Sequence, residues 1–201
     1  MSATEESLGL DIRSQIVDAA HSRFRHYGYG KTTMIEIAKD VGMSAANLYR
    51  YFKNKQEIIA ECASKCMCER VDRLRIAIRQ PGMSAVEQLK TYVLTDLLVS
   101  HEMAEDDKKI NELVNTITLE RPDLVFKKIE AENTLIAEIL SYGNESGEFN
   151  IDDIMTTAQT IHTSLIVFNV PIFMSLYTHE QFKEKAIAVV ELIVLGLAKH
   201  K

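Results

Sequence analysis

Residues 31–55 read KTTMIEIAKDVGMSAANLYRYFKNK, and they carry more structural information than any other part of the chain. A helix is expected to open at Thr33, whose hydroxyl can accept from the Glu36 amide while the Glu36 carboxylate reaches back. Met34, Ile37, Ala38 and Val41 then recur at three-to-four residue spacing and share one face. Gly42 follows them, where the chain turns sharply and a residue without Cβ takes positive φ at least cost. Ser44 is the natural cap of a second short helix, in which Leu48 and Phe52 form an i, i+4 apolar pair. Asn54, with Glu57 three residues on, opens a third. Two short helices, a tight turn and an immediate third helix are the pattern of a helix-turn-helix.

The other face of the second short helix carries Ala45, Ala46, Asn47, Tyr49 and Arg50. Small side chains permit close approach to base edges, Asn and Arg can bond adenine and guanine in bidentate fashion, and a tyrosine hydroxyl suits a phosphate oxygen. Lys55, in the first turn of the third helix, is expected to clamp a phosphate. With Lys31, Thr33 and Ser44, these residues form the candidate DNA-contacting set.

The order TT-x-x-x-IA-x-x-x-G-x-S, then LY-x-x-F-x-x-K, follows a helix with Ile16, Ala19, Ala20, Phe24 and Gly28. Over about residues 10 to 62 this resembles the tetracycline-repressor (TetR-like) family of bacterial regulators. Ala45 and Ala46 depart from the larger or polar side chains of many relatives, so base readout would lean on Asn47, Tyr49 and Arg50. The resemblance implies an all-α protein: a three-helix DNA-binding domain over residues 1–55, with 1–9 a flexible arm, and a helical effector-binding and dimerisation domain over 56–201, about nine helices in all.

Charge agrees with that division. The chain has a net charge of −6, yet residues 10–55 hold eight Lys or Arg against four Asp or Glu, whereas residues 56–201 carry −8. The basic end suits nucleic acid, and the acidic body does not. At 201 residues and 46% apolar content the chain can bury a real core without staples. Its three cysteines, Cys62, Cys66 and Cys68, fall within seven residues and form no disulfide framework, which fits a reducing cytoplasm. Cys62 and Cys66 share a helical face, so a thiol or soft-metal sensor is an alternative to plain packing. No signal peptide or membrane span is readable, and the six histidines form no HExxH pair. Neither catalysis nor a cofactor is called for.

Along the rest of the chain, a long helix is expected from Asn54 to about Arg79, stopped by Pro81-Gly82. Others are expected from Ser84, from Lys108 to about Leu119, from Pro122 to near Gly143, and from Asn150 to Tyr177 with a kink at Pro171. Thr178 opens the last helix, whose apolar residues cover more than one face. One face would meet the core. The other would meet the same helix pair of a second subunit in a homodimer. The family resemblance further implies an effector pocket, for which Tyr92, Met103, Phe126, His162, Phe168 and Phe173 are candidates. The expected function is that of a ligand-responsive repressor, released from a palindromic operator by a small molecule. A DNA-bound scaffold regulated by a protein partner is the alternative.

Overall fold

The computed structural model describes residues 3–106 and 109–198. Among them the helices are α1 (Ala3–Tyr27), α2 (Met34–Asp40), α3 (Ala45–Leu48), α4 (Lys55–Ile78), α5 (Ala85–Asp106), α6 (Ile110–Glu120), α7 (Pro122–Ser146), α8 (Ile154–Ser164), α9 (Ile166–Asn169) and α10 (His179–Leu197), with a 3-10 turn at Pro171–Ser175. No strand occurs among the described residues, only an isolated bridge between Phe149 and Ala198. The protein is all-α, as its periodicity requires. No described helix is long and apolar enough to cross a membrane.

Side-chain caps set many of the helix starts. Thr33 Oγ1 accepts from Glu36 N while Glu36 Oε2 accepts from Thr33 N at 2.8 Å, a reciprocal box. Ser84 with Glu87, and Thr178 with Gln181, repeat it. Ser44 Oγ accepts from Asn47 N at 3.2 Å, and Asn54 Oδ1 from Glu57 N at 2.8 Å. At Asn54 the box is half-made, because the Glu57 carboxylate accepts from Lys53 N instead. Such caps stabilise a helix by about 1 kcal/mol each. Gly42 takes φ +69°, the turn between α2 and α3.

Several boundaries differ from the sequence expectation, each for a local reason. The backbone is helical from Ala3, not frayed to residue 9, since Gly9 alone opposes helix by only about 1 kcal/mol. The expected start at Lys108 lies outside the described residues. Gly143 does not end α7; the helix runs on to Ser146, and Gly147 at φ +78° follows it. Gly143 serves packing, because a Cβ there would fall 2.0 Å from the Phe149 ring. The cap of α8 is Asp153, whose Oδ1 accepts from Thr156 N at 3.0 Å, and not Asn150, whose N–H goes to Leu197 O. The single kinked helix expected to Tyr177 breaks twice. Ser164 Oγ donates to Ile161 O at 2.7 Å, and the main chain leaves helix at Leu165. Val170 is extended, as a residue before proline prefers, so Pro171 starts a new turn.

The chain divides into two compact units, Met1–Met67 with Asp107–Val125, and Cys68–Asp106 with Phe126–Lys201. In the first, Ile16, Ala20 and Phe24 of α1 pack with Ile37 and Ala38 of α2, Leu48, Phe52, and Ile58 and Ile59 of α4. Leu113 and Ile117 of α6 complete this core from far along the chain. In the second, Leu74, Ile78, Leu89, Val93, Leu97, Ile136, Ile139, Leu140 and Phe182 form a separate core. Burial of each such side chain stabilises by about 1.5–3 kcal/mol.

Candidate nucleic-acid interface

The recognition segment is held from beneath and open above. Leu48 and Phe52 are 0% and 1% exposed. Their burial turns Ala46, Tyr49 and Arg50 outward, with Ala45 and Asn47 half-buried between. After Leu48 the bonds tighten, with Arg50 N donating to Asn47 O and Tyr51 N to Leu48 O. Thr33 and Ser44 sit exposed at the starts of α2 and α3, where their hydroxyls serve the caps. Tyr49 and Arg50 make no side-chain hydrogen bond or ion pair with any described residue, nor does Lys31. Their polar groups are available to a ligand.

Arg23, Arg13 and Lys55 of this unit, by contrast, are committed to the protein itself. Arg23 binds Asp40 at 2.5 and 2.8 Å, and this bond holds the Asp40 carboxyl below the usual carboxylate range. Arg13 donates to Tyr51 O, pairs with Glu61 and stacks 4.2 Å above the Phe52 ring. Lys55 is placed otherwise than a phosphate clamp requires. Its ammonium turns inward, donating to Tyr29 O at 2.6 Å and Thr32 O at 2.8 Å, over the Tyr29 ring. Burial lowers its pKa below the ordinary lysine value. Lys39 and Lys53 are the exposed cations that the motif reading passed over, and basic flanking positions were their signal.

The loop that Lys55 holds is fixed from a second side. Gly30 N donates to Glu112 Oε1 at 2.8 Å, and Thr32 Oγ1 donates to Gly28 O at 2.9 Å. Gly28 takes φ +91°, and a Cβ on it would lie 2.9 Å from the Glu112 carboxylate. Thus α6, which no local pattern ties to the helix-turn-helix, braces it.

In the second unit the six effector candidates separate. Tyr92, His162 and Phe168 are buried and Met103 and Phe173 half-buried, but Phe126 is 69% exposed and lines no interior. Beside Tyr92 and His162 lies a buried ionic cluster. Arg70 contacts the Asp96 carboxylate at 2.5 Å and Glu132 at 3.4 Å, and Glu132 also meets Lys128 and His162, each at 2.9 Å. Burial alone would raise the Glu132 carboxyl, yet the His162 hydrogen bond and the Lys128 and Arg70 charges hold it down at about 2. For Asp96 burial prevails over Arg70, and its carboxyl is raised. Sequence reasoning found His162 but not its partners. An open groove of about 440 Å³ follows the outer face of α8 along Thr156, Gln159, Thr160 and Thr163.

Cys62 is buried, and burial pushes its thiol up to about 12, which disfavours the thiolate that metal or oxidant chemistry needs. No group of three His, Cys, Asp or Glu among the described residues could hold a metal ion.

A braced helix-turn-helix that carries Asn47, Tyr49 and Arg50 above a buried Leu48 and Phe52 defines a DNA-binding regulator of the all-α class. Residues 16–62 match the family of bacterial regulatory proteins of the tetR type, and residues 85–190 match the tetracyclin repressor-like C-terminal domain. The chain belongs to the TetR family of transcriptional regulators. It is 25% identical over 142 residues to the fatty acid metabolism regulator protein of Bacillus subtilis, a span covering 67% of this chain and 69% of that protein. It is 26% identical over 146 residues to the nucleoid occlusion factor SlmA of Aliivibrio fischeri, again 67% and 69% of the two chains. In fold it is similar to FadR from Bacillus subtilis in complex with stearoyl-CoA, with a TM-score of 0.66, 21% identity, and coverage of 92% of this chain and 98% of that one.

Proposed function

We propose that this TetR-family protein is a ligand-responsive repressor that grips a palindromic operator as a homodimer and is released by a small-molecule effector. Residues 1–55 read DNA in this account, and residues 56–201 dimerise and sense. The observation that carries it is the set Asn47, Tyr49 and Arg50, projected on one face by a buried Leu48 and Phe52. Asn47 and Arg50 read base edges, while Tyr49 with Lys31, Lys39 and Lys53 meets phosphates.

The dimer forms through α8 and α10. Ala188, Leu192 and Leu195 make an exposed stripe on α10, with Leu192 and Leu195 70% and 65% exposed, and Met155 on α8 is 49% exposed. A second copy would cover these and set two recognition helices in successive major grooves, about 34 Å apart. The effector binds the DNA-incompetent state more tightly, since a ligand of equal affinity for both states shifts nothing. The likeness to a regulator holding stearoyl-CoA makes fatty acyl-CoA the first effector to try.

Selection of random duplexes on the purified protein tests the reading. A palindromic consensus with half-sites one helical turn apart supports it, and sequence-blind binding removes it. The scaffold alternative draws on the likeness to a nucleoid occlusion factor. It would keep the consensus but show no release by any acyl-CoA or other small molecule screened.

A further inference from the structure

Arg70 is 5% exposed, and its guanidinium is unevenly used. Nη2 has two hydrogens yet faces four acceptors: Ser100 Oγ at 2.8 Å, Asn169 O at 3.1 Å, Asp96 O at 3.4 Å and the Asp96 carboxylate at 2.5 Å. Nη1, also with two hydrogens, has among the described residues only the Met103 sulfur, at 4.0 Å. Nε is buried without a hydrogen bond, although Glu132 Oε1 lies 3.4 Å away. A guanidinium cannot discard its charge, and a buried charged donor facing sulfur instead of oxygen is an unmet demand. Met103 is half-buried, unbranched and a weak acceptor, a side chain that moves aside at small cost.

We propose that Arg70 Nη1 anchors the oxyanion of an apolar monocarboxylate, which enters by displacing the Met103 side chain. This rests on reading the second unit as effector-binding. Phe168 and Phe173, on the same segment as Asn169, whose carbonyl already accepts from Arg70, belong to the apolar core of this unit.

Charge balance gives the proposal a second signature. The groups around the anchor are Asp96, Tyr92 and Ser100 of α5, Lys128 and Glu132 of α7, and His162 of α8. The formal charges of Arg70 and Lys128 balance those of Asp96 and Glu132, so an added anion leaves one negative charge in excess among them. A proton taken up with the ligand restores the balance. Asp96 is the group to receive it, because burial already raises its carboxyl whereas Glu132 is held down. Binding therefore weakens as pH rises, by up to about tenfold per pH unit where the proton is taken up.

The test is calorimetry on the full-length protein with sodium dodecanoate, dodecanol and dodecanoyl-CoA. Dodecanoate is expected to bind at least about tenfold more tightly than dodecanol, the preference one charge-assisted bond supplies. Heats in two buffers of different ionisation enthalpy should show one proton taken up. Arg70→Gln should abolish the preference, and Met103→Ala should preserve it. If Arg70→Gln does not fold, the wild-type and Met103→Ala comparison decides alone. Equal affinity for dodecanoate and dodecanol, or no binding of dodecanoate, overturns the inference. Tight dodecanoyl-CoA binding without dodecanoate binding overturns it too, while leaving the effector reading intact.

Discussion

The recognition segment and the Arg70 cluster treat polar side chains in opposite ways. Tyr49 and Arg50 stand in the open with no side-chain partner among the described residues, and the residues beneath them are apolar and buried. Arg70, Asp96, Glu132 and His162 are buried and bound to one another across α4, α5, α7 and α8. Groups that serve a partner outside the chain cost little to the fold when removed. Groups that serve each other inside it cost a great deal, because each leaves a charge stranded. The same residue type, Arg, thus faces outward without cost to the fold in one place, and in the other holds the interior together while leaving one guanidinium nitrogen for the proposed carboxylate.

The largest expected effect breaks the buried side. Glu132→Ala takes the carboxylate from Lys128 and His162 and leaves Arg70 with Asp96 alone, and should destabilise the protein by about 3–5 kcal/mol, read as a lowered urea midpoint. The pH dependence sharpens the point. Glu132 is held at about 2 against an ordinary value of 4.5, so its contribution is present above 4.5 and is lost as pH falls toward 2. The stability gap between wild type and Glu132→Gln should therefore close over that window. Asp96, raised by burial, works in the opposite sense, and Asp96→Asn should not show this acid loss.

Lys55→Met tests a residue that lies near the DNA-reading face but behaves like the interior. It leaves the Tyr29 and Thr32 carbonyls without their donor, and a loss of about 1.5–3 kcal/mol of stability is expected by thermal melting. The salt slope of DNA binding should stay unchanged, and a flattened slope would return Lys55 to the phosphate backbone. The smallest expected effect is that of Thr33→Ala, about 1 kcal/mol, from loss of the cap that starts α2.

How much of this was legible follows from distance along the chain. Thr33 with Glu36, Gly42, Ser44 and the Leu48–Phe52 pair interact within four residues, so local spacing revealed the helix-turn-helix. Lys55 reaches back 26 residues to Tyr29, and Glu112 of α6 bonds Gly30 across 82. No periodicity records such pairings. Arg70, Asp96 and Glu132 each read alone as a solvated charge, and only the fold puts them in one place. Phe126 shows the converse, since an aromatic on an apolar helix reads as interior yet stands 69% exposed.

The most direct test of the account is the ratio of affinities for the selected consensus and a scrambled duplex, measured at one salt concentration for wild type and Arg50→Ala. Arg50→Ala should reduce that ratio by about 1–3 kcal/mol while leaving the melting temperature within the equivalent of about 0.5 kcal/mol. An unchanged ratio, or a loss of stability in place of a loss of discrimination, would contradict the claim that the exposed face of the recognition segment reads DNA.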